Sequence, residues 1–255
     1  MRRCYCIIPA RMASTRFPDK PLAQINGLTM IQHMYRRCKL AKNIEKVIVA
    51  TCDNAIRECI EADGGKVIMT LDTHQTCIDR VEEAMEKILP HLSEQDSVII
   101  VQGDEVQVTP LMLDHMAIEL QNDKNVMVNL ICRVEEGQHA NPNEVKIVFD
   151  VNDYALFLSR SPIPSLCRSI PKEMWRQTGI MGFHCDFLKK FSRWEQTPLE
   201  MIEKIDVLRI LENGHPIKII KTDVMLTGID TKEDLAHVEE KFKNDPLLRV
   251  YMQGQ

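Results

Sequence analysis

The sequence predicts a doubly wound α/β fold, a mostly parallel sheet between two helical layers with an inserted antiparallel lobe, on three observations. Short apolar runs alternate with helical-period stretches through the first half, and three further strand-like runs then follow with only loops between them. The third is size: 255 residues, 44% hydrophobic and 27% charged, suffice for one large core. Residues 1–255 therefore read as a single domain, with the lobe at about 126–200.

Residues 4–8, CYCII, form an apolar run of the kind buried in a parallel sheet, closed by Pro9, which has no N–H for the ladder. A helix over 30–41 carries Met30, Ile31, Met34 and Cys38 at helical spacing, and a strand follows at 46–50. Asp53 caps the next helix, which reaches Ala62 and ends at Gly64-Gly65, and a third strand occupies 66–69. A helix over about 75–89 leads to the strongest strand, SVIIVQ at 97–102. Strands separated by helices imply right-handed crossovers and parallel pairing. The runs at 126–133, 145–149 and 154–159 lack intervening helices and suggest antiparallel additions. The proline-bearing stretch 161–175 has no periodicity and reads as a flap or as an arm that contacts a partner. Helices at 185–194 and 200–212, a strand at 216–221 and a helix at 231–243 complete the chain.

Composition excludes several classes. A net charge of -5 does not suit a general nucleic-acid binder, which needs a basic face, so any phosphate site must be local. No signal-peptide pattern or long apolar run is present, so neither secretion nor a membrane span is expected and the cytoplasm is the expected location. The nine scattered cysteines fit free thiols in a reducing compartment; Cys4 and Cys6 share one strand face but lack further ligands at metal-binding spacing. They read as small buried hydrophobes, and the fourteen methionines as core filler.

The chemistry concentrates in residues 7–22, IIPARMASTRFPDKPL, a loop directly after the first strand. Arg11, Ser14, Thr15, Arg16 and Lys20 combine planar guanidinium forks, a point charge and small hydroxyl residues that leave backbone amides open, while Pro18 and Pro21 stiffen the path. Ligands of open α/β sheets bind beyond the carboxyl ends of the strands, so this position suits an anion cradle better than a merely solvated loop. The second landmark is VQGDE at 101–105, where an apolar strand ends in carboxylates. Asp104 there suits a Mg²⁺ ligand or a cap for the next turn. Asp230, in the turn before the last helix, offers a second carboxylate, for which the N-cap explanation is the stronger on its own. Together, Arg11, Arg16 and Lys20 can neutralise a triphosphate while Asp104 and Asp230 hold Mg²⁺ across its oxygens, a positioning-and-electrostatics arrangement for phosphoryl or nucleotidyl transfer. Neither GxxxxGKS nor GxGxxG after the first strand occurs, so P-loop and dinucleotide enzymes are not expected.

IPARMASTRFPDKPL, INGLTMIQH, IVAT, VQGDE, NPNEVKIV, LSRSPIP, the Gly179–Phe183 segment, PLEMIE and GIDTKEDL occur in that order over almost the whole chain, which thereby resembles the 3-deoxy-manno-octulosonate (KDO) cytidylyltransferases. The resemblance implies a Rossmann-like nucleotidyltransferase fold, a homodimer, and transfer of CMP from CTP to a sugar-acid hydroxyl with release of pyrophosphate, in nucleotide-sugar synthesis for lipopolysaccharide. By position, it implies Arg11, Lys20 and Asp104 as catalytic, with Ala10, Arg11, Ser14, Thr15, Arg16, Lys20, Thr76, Arg80 and Gln102 on the nucleotide. Asp104 and Asp230 would hold Mg²⁺, and Arg160, Gln177, Met181, Phe183 and Asp206 would line the site of a small acidic acceptor.

The chain departs from the family pattern at identifiable places. Where the family reads HQSGTER this chain has HQTCIDR at 74–80, so a Ser-Gly pair near the nucleotide is Thr76-Cys77. The family's acceptor-side His is Gln177, its two tyrosines are Met181 and Phe183, and its Glu-Gln pair is Asp206-Val207. Lost hydrogen-bonding groups penalise a polyhydroxylated ligand, since each unpaired buried hydroxyl costs about 1 to 3 kcal/mol. The acceptor is therefore expected to be KDO, a modified 2-keto sugar acid, or a phosphonate or phosphate, with Arg168 and Lys172 of the proline-bearing stretch as further cations. A catalytically silent nucleotide-binding homologue and a nucleotide-sugar-using glycosyltransferase are the other classes; the acidic pair argues against the first and the cation-rich loop against the second.

Overall fold

The structure, a computed structural model, describes residues 2–13, 17–74, 76–88, 92–168, 173–229 and 231–252. Strand β1 (Cys4–Ala10) is followed by a 3-10 turn at Lys20–Leu22 and a small hairpin, β2 (Gln24–Ile25) and β3 (Leu28–Thr29). Asn26 and Gly27 carry positive φ between them, the Asn-Gly chemistry of a tight hairpin turn. Thr29 then caps α1 (Met30–Lys39) reciprocally with Gln32. Strand β4 (Lys46–Thr51), α2 (Asn54–Ala62), β5 (Val67–Met69), α3 (Cys77–Ile88) and β6 (Ser97–Val101) follow the expected alternation. Next come α4 (Pro110–Glu119), β7 (Met127–Arg133), the β8 (Lys146–Phe149) and β9 (Ala155–Ser159) pair, and β10 (Trp175–His184). The chain closes with α5 (Cys185–Ser192), α6 (Pro198–Glu203), α7 (Leu208–Glu212), β11 (Lys218–Lys221), α8 (Lys232–Phe242) and α9 (Pro246–Met252).

The main sheet has the order β11-β7-β10-β6-β1-β4-β5, and every strand in it is parallel except β10, which runs against both β6 and β7. The hairpin β8-β9 hangs on the start of β10 through Trp175↔Ile147 and Arg176↔Lys146. Alternation along β1 sends Cys4, Cys6 and Ile8 to one core, with α1, α2, α4 and α8, and Tyr5 and Ile7 to the other, with α3, α5 and α7. That two-sided burial makes the fold doubly wound; Cys4, Cys6, Cys38, Cys132 and Cys185 are buried as expected, while Cys52, Cys59 and Cys77 are half-buried and Cys167 is exposed, and all nine are free.

Several expectations need correction. Pro9 does not end β1 but pairs with Ala50; the β6 ladder stops at Ile7↔Ile100, so beyond it β1 is paired on one side only, where proline is tolerated. The run expected at 126–133 is no peripheral addition: β7 lies within the main sheet, antiparallel to β10 as expected but parallel to β11 on its other side. The helix expected over 200–212 is two helices, with Lys204 in the left-handed region (φ 55, ψ 47) ending α6. Elements α4, α9 and β10, with the β2-β3 hairpin, lie outside the predicted set. The last long helix is capped by Thr231, reciprocally with Asp234, rather than by Asp230, which lies outside the described residues. In the proline-bearing stretch, residues 161–168 form no regular element, and 169–172, including Lys172, are outside the described residues. Among the described residues no helix is long and apolar enough to cross a membrane.

Gly65 shows how tightly the α2-β5 turn is closed: a Cβ there would strike Ile60 Cγ2 and sit 2.8 Å from the Ile60 carbonyl oxygen. Gly65→Ala is expected to destabilise the protein by roughly 1–3 kcal/mol through overpacking against backbone. Thermal unfolding checks this, and an unchanged midpoint would mean that the turn opens without cost.

Candidate active site

The site lies where β1 and β6 end side by side. Ala10 is the buried last residue of β1, and Arg11 stands exposed just beyond it. The Met12 amide donates to Asp53 Oδ2 at 2.8 Å, so the carboxylate expected to cap α2 instead ties the cation-rich loop to the neighbouring strand end. Buried Phe17 anchors the far side of the loop, after which Lys20 extends from the 3-10 turn. Its Nζ lies 3.2 Å from Asp104 Oδ2, across the mouth of the sheet. The sequence places these two residues 84 apart; the fold makes them an ion pair of limited exposure. Ser14, Thr15, Arg16 and Asp230 lie outside the described residues.

The turn after β6 is fixed in space. Gln102 donates its amide to Gly179 O at 2.9 Å, and a Cβ on Gly103 would come within 3.3 Å of Pro9 O, so β1 and this turn are in close approach. Glu105 turns inward and its Oε1 accepts the Gly179 amide at 2.7 Å, while Oε2 is buried without a partner. Burial pushes the Glu105 carboxyl up to about 7, with the Asp104 charge adding and Arg176 opposing. On α3, Thr76 and Asp79 exchange cap hydrogen bonds at 3.2 and 3.1 Å, so the Thr76 hydroxyl serves the helix start. Arg80 is buried, donating from Nη1 to Thr70 Oγ1 and Leu71 O, with Nη2 buried and unpartnered. Cys77 Sγ accepts from Gln102 Nε2 at 3.4 Å, and burial raises its thiol to about 12, so it is neutral at physiological pH.

Beside this mouth is a cavity of about 220 Å³ lined by Gln102, Asn143, Glu144, Val145, Arg160, Arg176, Gln177, Thr178, Gly179, Met181, Lys204, Ile205 and Asp206. Four predicted acceptor residues, Arg160, Gln177, Met181 and Asp206, meet there. Phe183 does not: one alternation further along β10, it is fully buried and stacked on Phe191. Gln102, expected on the nucleotide, lines the cavity as well and so stands at the junction of the two regions. Burial raises the Asp206 carboxyl, and Glu200 reinforces this. Sequence reasoning missed Glu105, Arg176 and Lys204; Arg176, paired through Nε with Glu144 at 2.9 Å, belongs to a strand that showed no periodicity.

Among the described residues no three His, Cys, Asp or Glu side chains converge as a metal cage. A hard cation at Asp104 still fits the chemistry, because Mg²⁺ commonly takes one or two carboxylates and completes its shell with water and phosphate oxygens. An α/β sheet with basic groups and a carboxylate at adjoining strand ends, beside a small-molecule cavity, defines a nucleotidyltransferase.

The cytidylyltransferase family profile matches residues 5–221, and the chain belongs to that family. A 3-deoxy-manno-octulosonate cytidylyltransferase of Thermodesulfovibrio yellowstonii is 43% identical over 249 residues, 94% of this chain and 97% of the relative. One of Geobacter metallireducens is 38% identical over 253 residues, 92% and 96% of the two chains. Among solved structures, a CMP:2-keto-3-deoxy-manno-octonic acid synthetase complexed with CTP superposes with a TM-score of 0.87 at 30% identity, covering 94% of this chain and 98% of the other. A 4-diphosphocytidyl-2C-methyl-D-erythritol synthase, at 13% identity and TM-score 0.65 over 94% and 100% of the two chains, shares the fold.

The raised Glu105 carboxyl gives a pH prediction. Its folded value, about 7, exceeds the ordinary 4.5, so the native state holds a proton that the unfolded state has lost between those limits. This contribution to stability is present below about 4.5 and lost as pH rises to about 7. Glu105→Gln, which keeps an acceptor for the Gly179 amide, should flatten that dependence and be more stable than the parent at pH 8, by on the order of 1–3 kcal/mol. Urea unfolding of both proteins at pH 5 and 8 checks it; identical pH profiles would place the carboxyl at an ordinary value.

Proposed function

We propose that the protein is a Mg²⁺-dependent cytidylyltransferase that transfers CMP from CTP to the hydroxyl of KDO or a closely related 2-keto sugar acid, releasing pyrophosphate. The observation that carries this reading is the Lys20–Asp104 pair at the end of β6, joined through Gln102 to the acceptor cavity. The relatives' names and the CTP complex of the solved relative support the choice of substrates.

In this reading the acceptor hydroxyl oxygen bonds to the α-phosphorus of CTP and gives up its proton to solvent, while the bond to the bridging oxygen breaks and its electron pair leaves on pyrophosphate. Arg11 and Lys20, with Arg16, neutralise the charge that grows on the leaving group, the preorganised electrostatics that such a transfer needs. Asp104, with Asp230, would hold Mg²⁺, which when bound supplies charge neutralisation at the phosphate oxygens. Lys20 now shares the Asp104 carboxylate, so occupancy by nucleotide and cation would draw the ammonium onto phosphate. The cavity residues Gln102, Arg160, Gln177, Met181 and Asp206 would orient the acceptor. A homodimer is part of the proposal, and exposed Leu156 of β9 with Met201 and Ile202 of α6 gives the lobe apolar surface for it.

Pyrophosphate release with each of the four NTPs and a panel of KDO, other 2-keto sugar acids and phosphonates tests the proposal, with CTP plus KDO expected to be the productive pair. Lys20→Ala should lower turnover roughly 10²–10³-fold, the scale of a lost transition-state donor. Asp104→Asn should abolish turnover with little change in melting temperature, because it removes charge but almost no volume. Residual activity with a large fall in melting temperature would instead make Asp104 a structural cap, and no release with any pair would end the catalytic reading.

A further inference from the structure

Arg160 is the cation expected to meet the acceptor, yet three of its five N–H donors are turned to backbone carbonyls. Nε, Nη1 and Nη2 reach the carbonyl oxygens of Glu203 at 2.8 Å, Pro142 at 2.9 Å and Lys204 at 3.2 Å. Its own amide donates to Glu203 Oε2, and buried Lys146 donates from Nζ to the Arg160 and Asn141 carbonyls. The guanidinium therefore stitches three wall segments of the cavity together. Arg176 is committed as well, to Glu144 and to the Leu226 carbonyl.

Lys204 is the remaining cation of the wall. Among the described residues its ammonium has neither a hydrogen bond nor an ion-pair partner, and the residue is exposed. Its backbone is pinned from both sides: the amide donates to Glu200 O at 2.8 Å and the carbonyl accepts from Arg160. Its φ of 55 and ψ of 47 lie in the left-handed region, which glycine and asparagine enter easily and lysine does not. Local backbone energetics thus disfavour lysine at a helix end that glycine would satisfy. The strain falls at a cavity wall, where an immobilised backbone presents an otherwise uncommitted charge.

We propose that Lys204 is the acceptor's anion-binding residue, taking a carboxylate or equivalent anionic group of the substrate, and that Arg160 is the positioning residue that fixes the Lys204 backbone. This assignment rests on the function proposed above and adds to it a source of acceptor recognition. It places the cationic contact on the turn between α6 and α7, two positions from Asp206, while Gln102 approaches from the metal-binding end.

The test is Lys204→Gly, which removes the ammonium and suits the left-handed backbone, beside Lys204→Arg, which keeps the charge. With CTP and KDO, Lys204→Gly should raise the KM for KDO by at least about tenfold, leave the KM for CTP within about twofold, and melt at or above the parent's temperature. Lys204→Arg should keep the KDO KM within a few-fold. A Lys204→Gly enzyme with unchanged KDO KM overturns the assignment and leaves the function standing. A rise in both KM values together with a lower melting temperature overturns it too, since it assigns the position to backbone support. Should the unaltered protein release no pyrophosphate with any acceptor, the functional reading falls and this assignment falls with it.

Discussion

The parallel ladder between β1 and β6 runs from Cys4↔Ser97 to Ile7↔Ile100, and its register brings the carboxyl ends of the two strands side by side, with β1 two residues longer. A slip of two residues would move Asp104, which stands three residues beyond β6, away from Lys20, whose Nζ it meets at 3.2 Å. Stiffness comes from the strand ends themselves: Gly103 lets the turn close on Pro9 O, and the Met12 amide is held by Asp53 from the neighbouring strand connection. The meeting of Lys20 with Asp104 thus depends on three adjacent parallel strands and not on the loop alone.

Strand β10 supplies the second half of the site by running the wrong way. An antiparallel strand between β6 and β7 brings its middle, at Gly179, beside the carboxyl end of β6, so that one backbone serves both regions. The Gly179 carbonyl accepts from Gln102 and its amide donates to Glu105, which locks the cavity wall to the turn after β6. The absence of a side chain matters here, since a Cβ on Gly179 would lie 2.8 Å from the Gln102 side chain. The cavity follows, with the residues that flank the β8-β9 hairpin, Val145 and Arg160, closing its far side.

The parallel half of this architecture was legible because buried strands such as 97–101 are nearly pure apolar runs and the helices between them carry one apolar face. Strand β10 was not, because Gln177, Thr178, Gly179 and Gly182 interrupt any alternation; its hydrophobic partners are supplied by β6 and β7, far away in sequence. Helix α4 escaped for the opposite reason: PLMLDHMAIE is apolar almost all round, leaving no stripe to read. For the site, the cations and carboxylates were visible as residue types at strand ends. Contacts that decide their roles were not, since Arg160 turning to three carbonyls and Asp53 turning to Met12 depend on where the backbone of other segments passes.

The segment at 76–79 separates what a substitution does to a fold from what it does to a site. A hydroxyl at 76 and a carboxylate at 79 satisfy the first amides of α3 whether the pair is Thr and Asp, as here, or Ser and Glu, as in the family pattern. The helix start is therefore indifferent to those two changes. Cysteine in place of glycine at 77 is another matter, because its Sγ lies 3.4 Å from Gln102 Nε2, and the other side of that same side chain packs on Gly179. A thiol raised to about 12 by burial stays neutral and acts as a weak acceptor, not as a nucleophile. Gln102 is thereby tied to the start of α3 at the edge of the cavity that it lines. With glycine at 77, as in the family pattern, the Gln102 side-chain amide would lose the Sγ acceptor that it has here.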